Sequence, residues 1–211
     1  MTREDAWKLL NEMMSNKNLI RHGLAVEYIM RDLCNYLRKK ADDGDTWILD
    51  RVQDDKSANG DIDKVFDEEE WAVVGLLHDA DYELIEKDVT RHTLVTAEKL
   101  EALGVSERII QAIKAHHYGI KPTRDNILES GVYAVDEMSG LITACALVQP
   151  EKKLATVELN SVLKKFKQPS FAAGARRDQI TEGIAELNMS LEDFTKLALE
   201  SMQKHSEELG L

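Results

Sequence analysis

Trp71-Ala72-Val73-Val74-Gly75-Leu76-Leu77 is an unbroken apolar run that closes on His78-Asp79. It lies in a helix predicted over 67–78, and the same three- and four-residue apolar spacing recurs in both directions from it. Val/Ile/Thr alternation of strand type is scarce. The chain is therefore expected to be all-α, with further helices near 3–14, 17–40, 91–103, 106–118, 124–148, 158–167, 177–187 and 190–208. Ser106 precedes one apolar run, and Ser190 stands three residues before Asp193, a variant of the capping box. Gly119 with Pro122 ends one helix, and Thr123 is placed to open the next.

At 211 residues, with 43% hydrophobic content and no Ser/Gly/Pro-rich linker, the chain is expected to form a single helical domain over 1–211. Its core spans 18–148, and a helical lobe over 152–211 packs on it. The longest stretch without a charge, Met138 to Pro150, has 13 residues, fewer than the ~20 that a membrane-spanning helix needs. The opening Met1-Thr2-Arg3-Glu4-Asp5 lacks the basic-then-apolar layout of a signal peptide, so a cytoplasmic protein is expected. Cys34 and Cys145 are too far apart in sequence for a redox pair or a zinc knuckle and read as buried thiols. His205, in Gln203-Lys204-His205-Ser206-Glu207, reads as a surface residue.

The net charge of −12 is concentrated. Ala41 to Glu70 holds nine Asp and three Glu against Arg51, Lys56 and Lys64, a net of −9. Such a segment repels a phosphate backbone, which argues against a duplex nucleic-acid binder but leaves a small phosphorylated ligand allowed. Within it, Asp55 to Asp63 follows the first nine positions of a calcium loop, with Gly60 at the sixth. The twelfth position is Phe66, so the bidentate glutamate is missing. A solvated acidic loop and a weak calcium site are both open readings.

Five of the six histidines fall between residues 22 and 117. His22 shares a helix face with Ala25, Ile29 and Leu33, and His116 follows Ile109 and Ile113 at helical spacing. His92 lies in the first turn after Thr90. One histidine on an apolar face is ordinarily a hydrogen-bonded core residue; a group of them is harder to account for that way. Asp136 stands inside an apolar stretch, where a carboxylate must be paired or bound to a cation. A salt bridge would serve equally well, but neutral imidazoles cannot neutralise Asp79 and Asp136, whereas a divalent ion attracts both ligand types.

The ordered set His22, then Leu76-Leu77-His78-Asp79, His92, Ala112-Ile113-Lys114-Ala115-His116-His117 and Tyr133-Ala134-Val135-Asp136 resembles the HD-domain superfamily of metal-dependent phosphohydrolases, in particular its HDIG-type branch. The resemblance covers roughly 18–148. Lys152-Lys153-Leu154, Phe171-Ala172-Ala173-Gly174 and Leu209-Gly210-Leu211 are also similar to a widespread group of small HD proteins. It implies an HD-type helical bundle with His22, His78, Asp79 and Asp136 as core metal ligands, and His92 and His116 as ligands of a second metal. His117 beside His116 leaves that last choice open. One or two divalent ions are implied, of iron, manganese, zinc, cobalt, nickel or magnesium. The usual His-Asp-Ile-Gly-Lys reads His78-Asp79-Ala80-Asp81-Tyr82, so the lysine often placed near substrate phosphate is absent. The acidic stretch 41–66 looks like an insertion, either a lid or a decoration of the surface.

The expected activity is hydrolysis of a phosphomonoester or phosphodiester, a nucleotide first among them. Asp79 would bridge two metals, and His78 and Asp79 would form the catalytic pair. Arg21, Lys114, Lys121 and Arg124 lie near the ligand segments and are candidate phosphate partners. Two competing expectations remain: an HD module that binds a nucleotide or a protein without turnover, for which Tyr82 in place of lysine speaks, and a purely structural helical protein with core histidines. Oligomeric state is not legible.

Overall fold

The computed structural model describes residues 1–86 and 88–211. Among them every regular element is a helix. The first two thirds carry α1 (Arg3–Met13), α2 (Lys17–Asp42), α3 (Thr46–Asp54), α4 (Ile62–Val65), α5 (Glu68–Leu77), α6 (Leu94–Ala102), α7 (Glu107–Ala115) and α8 (Ile127–Leu147). After a 3₁₀ turn at Leu154–Thr156 follow α9 (Leu159–Phe166), α10 (Arg177–Glu186), α11 (Leu191–Lys204) and α12 (Ser206–Leu209). The all-α expectation holds, and the last helices pack on the earlier ones: α10 on α8, and α11 on α2.

The central contact is between α2 and α5. It is close because Gly75 lies against the α2 backbone: a Cβ there would stand 2.9 Å from the Glu27 Cα and N and from the Val26 carbonyl oxygen. Only glycine allows two helices to approach so tightly without a clash. Residues of α2 and α5 such as Ile29, Leu33, Trp71 and Val74 are wholly buried, and burying each such side chain contributes ~1.5–3 kcal/mol. Buried Glu27 is held by Arg3 of α1 at 3.0 Å and by Arg31 at 3.2 Å, with Arg31 reaching on to Glu68. This fixes α1, α2 and the start of α5 to one another.

The acidic segment departs from the sequence reading. It holds two helices, α3 and α4, where an insertion loop was expected. Three of its nine aspartates are N-caps: Asp45 accepts from the Trp47 and Ile48 N–H groups, Asp61 from Asp63, and Asp67 from Glu69 and Glu70. Asp is a poor helix-interior residue but a good N-cap, so a run rich in Asp can punctuate short helices as readily as it makes a loop. Ile48, Val52, Ala58 and Val65 point into the core. The calcium-loop reading gives way as well. The Asp55 carboxylate, at the loop's first position, is buried and accepts a 2.6 Å hydrogen bond from Arg108 Nη1, while its other oxygen takes the Ser57 and Ala58 N–H groups.

Smaller differences have local causes. The long helix expected from 124 starts at Ile127, because Asn126 rather than Thr123 caps it, accepting from the Glu129 N–H. Ser190 caps α11 as expected. Both cysteines are buried free thiols. His205 is not a free surface residue: its ring stacks on Tyr28 with centroids 3.7 Å apart. Tyr28 donates its hydroxyl proton to Glu208, so the end of the chain is anchored on α2. No helix among the described residues is long and apolar enough to cross a membrane.

Candidate metal centre

The α2–α5 crossing sets the site. His22 from α2 and His78 at the end of α5 bring their Nε2 atoms to 3.1 Å. His92, in the turn before α6, and His116, at the end of α7, bring theirs to 3.0 Å. Asp79 lies between the two pairs. Its Oδ2 is 3.6 Å from both His22 and His78, and its Oδ1 is 3.1 Å from His92 and 3.4 Å from His116. Asp136 of α8 completes the first group, with Oδ1 3.0 Å from His22 and 3.5 Å from His78. It is about one-fifth exposed rather than fully interior, so the centre opens on that side.

The outward nitrogens of the four rings fix the tautomers. The Nδ1–H of His78 donates to the Gly75 carbonyl at 2.8 Å, and that of His116 to the Ile113 carbonyl at 2.6 Å. His92 Nδ1–H donates to Asp81 at 2.9 Å. Ser139 gives its own proton to the Asp136 carbonyl, so its oxygen is free to accept from His22 Nδ1–H at 3.2 Å. With all four protons held outside, four Nε2 lone pairs and two carboxylates converge with no proton between them. Such a set of acceptors repels itself unless a cation lies among them. Donors ~2.0–2.2 Å from a common ion stand about 3–3.5 Å from one another, which matches these separations. Two overlapping ligand groups result, His22 with His78 and Asp136, and His78 with Asp79 and His116. Histidine and carboxylate without thiolate suit a first-row divalent ion.

Without a cation the same convergence draws in protons. Burial alone would lower the pKa of His78, but the charges of Asp79 and Asp136 outweigh it and lift the group to about 9. His92 is raised to about 9 as well: burial opposes, and Asp79 and Asp81 prevail. Asp79 and Asp136 are held below the usual carboxylate range because, against burial, the surrounding imidazoles favour their ionised forms. Burial pushes His116 down. Beside the centre, burial and then the Asp136 charge push Glu137 up to about 7.

Asp81, in the sequence only a departure from the usual motif, is wholly buried and orients His92. It also accepts from the Thr93 and Thr96 N–H groups at the start of α6. Thr93 is held at φ +68°, a left-handed conformation that costs a β-branched residue ~1–2 kcal/mol, directly beside His92. Ser139 was missed too. An acid two residues after His-Asp, facing a Thr-rich helix start, was the available signal for Asp81.

His116 turns into the cluster, whereas His117 lies edge-on to His92 with ring centroids 5.1 Å apart. Tyr82 also stands edge-on to His92, at 5.6 Å, and is exposed. Of the four candidate phosphate partners, Lys114 pairs with Glu101, Lys121 with Glu129 and Asp125, and Arg124 with Glu186. Arg21 is exposed, adjacent to His22, and forms no ion pair among the described residues.

A family model described as HD domain matches residues 19–141, more than half of the chain. The protein belongs to the HD-domain family. Its ligand-bearing segments, from His22 to Asp136, all fall inside the matched range. No curated protein and no solved structure matched the chain. HD domains bind divalent metals and form a superfamily of metal-dependent phosphohydrolases, and the clustered imidazoles and acids here fit such a metal.

Proposed function

We propose that this HD protein hydrolyses a phosphomonoester or phosphodiester, with nucleotides as the first substrate class to test, at a centre of one or two divalent ions. His22, His78 and Asp136 would hold one ion, His92 and His116 the other, with Asp79 between them. The observation that carries this reading is the division of the Asp79 carboxylate, one oxygen toward each pair of inward-facing imidazoles. A divalent pair supplies an acidified water and electrostatic clamping of phosphoryl oxygens.

The protein's own residues have separable tasks in this account. Gly75, Ile113, Asp81 and Ser139 lock the four rings in the tautomer that presents a lone pair inward. Asp79 sets the spacing of the two ligand groups. Arg21, with no acid to neutralise it, offers a guanidinium to phosphate oxygens at the His22 side, the task that the missing lysine would otherwise perform.

The test is metal analysis of the purified protein, then a nucleotide and phosphoester screen with added manganese, cobalt or nickel. Bound metal with turnover is expected, and His78→Ala should abolish both while helix content is kept. A metal-free protein with no turnover under any of these ions contradicts the proposal. The alternative, an HD module that binds a nucleotide or a protein partner without turnover, is favoured by Tyr82 at the lysine position. Tight nucleotide binding with no hydrolysis in a fully metallated sample decides for it.

A further inference from the structure

The faces of α2 and α8 that carry the ligands continue past them. Asp136, Gly140, Thr143 and Leu147 follow one another at spacings of four, three and four, so they share one face of α8. The last three of these, together with Asn18, Arg21 and His22 of α2, line a cavity of about 370 Å³, within the range of small-ligand pockets, which His22 shares with the metal centre. Its third side is Leu209-Gly210-Leu211. That tripeptide is held in place from below: Glu208 takes the Tyr28 hydroxyl proton, and His205 stacks on the same ring. Gly210, at φ +70°, lies so close to Arg21 that a Cβ there would come within 2.7 Å of the guanidinium carbon. The arginine is thus directed along the groove by the end of the chain. Leu147 is half exposed, and the space beside Gly140 is open, with no atom within 4 Å of where its Cβ would stand.

Resting on the phosphoester reading, we propose that this groove binds the leaving-group side of the substrate, and that the ester substituent is an apolar one such as an aromatic ring. His22 joins the groove to the metal centre, Arg21 brings a guanidinium to it, and Leu147, Leu209 and Leu211 give it apolar walls. A phosphoryl group at the centre therefore places its ester substituent against Thr143, Leu147 and the chain end. These three elements lie beyond the residues matched by the family. Substrate choice is accordingly a property of this chain's own C-terminal third.

The test uses manganese-loaded protein and three non-reacting probes: inorganic phosphate, methylphosphonate and phenylphosphonate, measured by calorimetric titration. Phenylphosphonate should bind about tenfold more tightly than methylphosphonate. Gly140→Leu, which fills the groove where there is room for it, should remove that preference and leave phosphate affinity unchanged. Leu147→Asp, at a half-exposed position that keeps the fold, should weaken phenylphosphonate alone. Equal affinity for the two phosphonates, with phosphate still bound, overturns the groove assignment and leaves the phosphohydrolase reading standing. Failure of all three probes to bind metallated protein overturns both.

Discussion

Asp81 Oδ1 lies 2.9 Å from His92 Nδ1, and the same carboxylate receives the N–H groups of Thr93 and Thr96. One buried acid thus orients a candidate ligand and caps the helix that follows it. Ligand-orienting carboxylates of this kind commonly change metal affinity 10–100-fold when removed. Asp81→Ala is expected to weaken manganese binding by about that factor, read by competition with a chelator. Unchanged affinity would show that His92 is not a ligand.

The pH dependence has a definite sign. His78 and His92 are raised from about 6.5 to about 9 in the metal-free fold, so the folded state binds more protons than the unfolded one across that interval. The stability that these two groups contribute to the metal-free protein is fully present below about pH 6.5 and should be lost as pH rises toward 9. Metal binding releases those protons, so metal affinity should increase over the same interval. Thermal melts with and without manganese at pH 6.5 and 9 check both; a metal-free protein that gains stability between these values contradicts the assignment.

Arg108 neutralises buried Asp55 at 2.6 Å, with both side chains almost wholly covered. Arg108→Met leaves an uncompensated buried carboxylate and should cost about 3–5 kcal/mol in denaturant unfolding. Millimolar calcium should leave the wild-type melting temperature unchanged, because the first position of the supposed calcium loop is already occupied by the guanidinium.

Gly75→Ala places a methyl group within 2.9 Å of the α2 backbone. Forcing the two helices apart should cost about 1–3 kcal/mol. Since the same crossing holds His22 against His78, metal affinity should fall with it. A variant with lower stability but unaltered metal binding would separate the crossing from the site.

The sequence made much of this site legible, and the reasons are physical. His78 and Asp79 end an apolar helix, and Asp136 and His22 sit at helical spacing from core residues, so each was visible as a polar group turned inward. The acidic segment was misread because Asp-rich composition suggests a solvated loop, whereas Asp45, Asp61 and Asp67 are N-caps and Asp55 is a buried ion pair. Ser139 escaped notice because its role depends on which ring nitrogen it faces, which spacing along the chain does not encode. His205 looked solvated because the residues around it are polar; Tyr28, its stacking partner, lies 177 positions earlier in the chain.

The most direct measurement is anomalous diffraction from crystals of this protein grown with manganese, paired with the same experiment on Asp79→Asn. The account predicts an anomalous peak between the Asp79 carboxylate and the inward Nε2 atoms of His22 and His78 or of His92 and His116, and its loss or marked weakening in the variant. Crystals that show no peak among these four imidazoles, with the rings joined instead through protons or water, would contradict it.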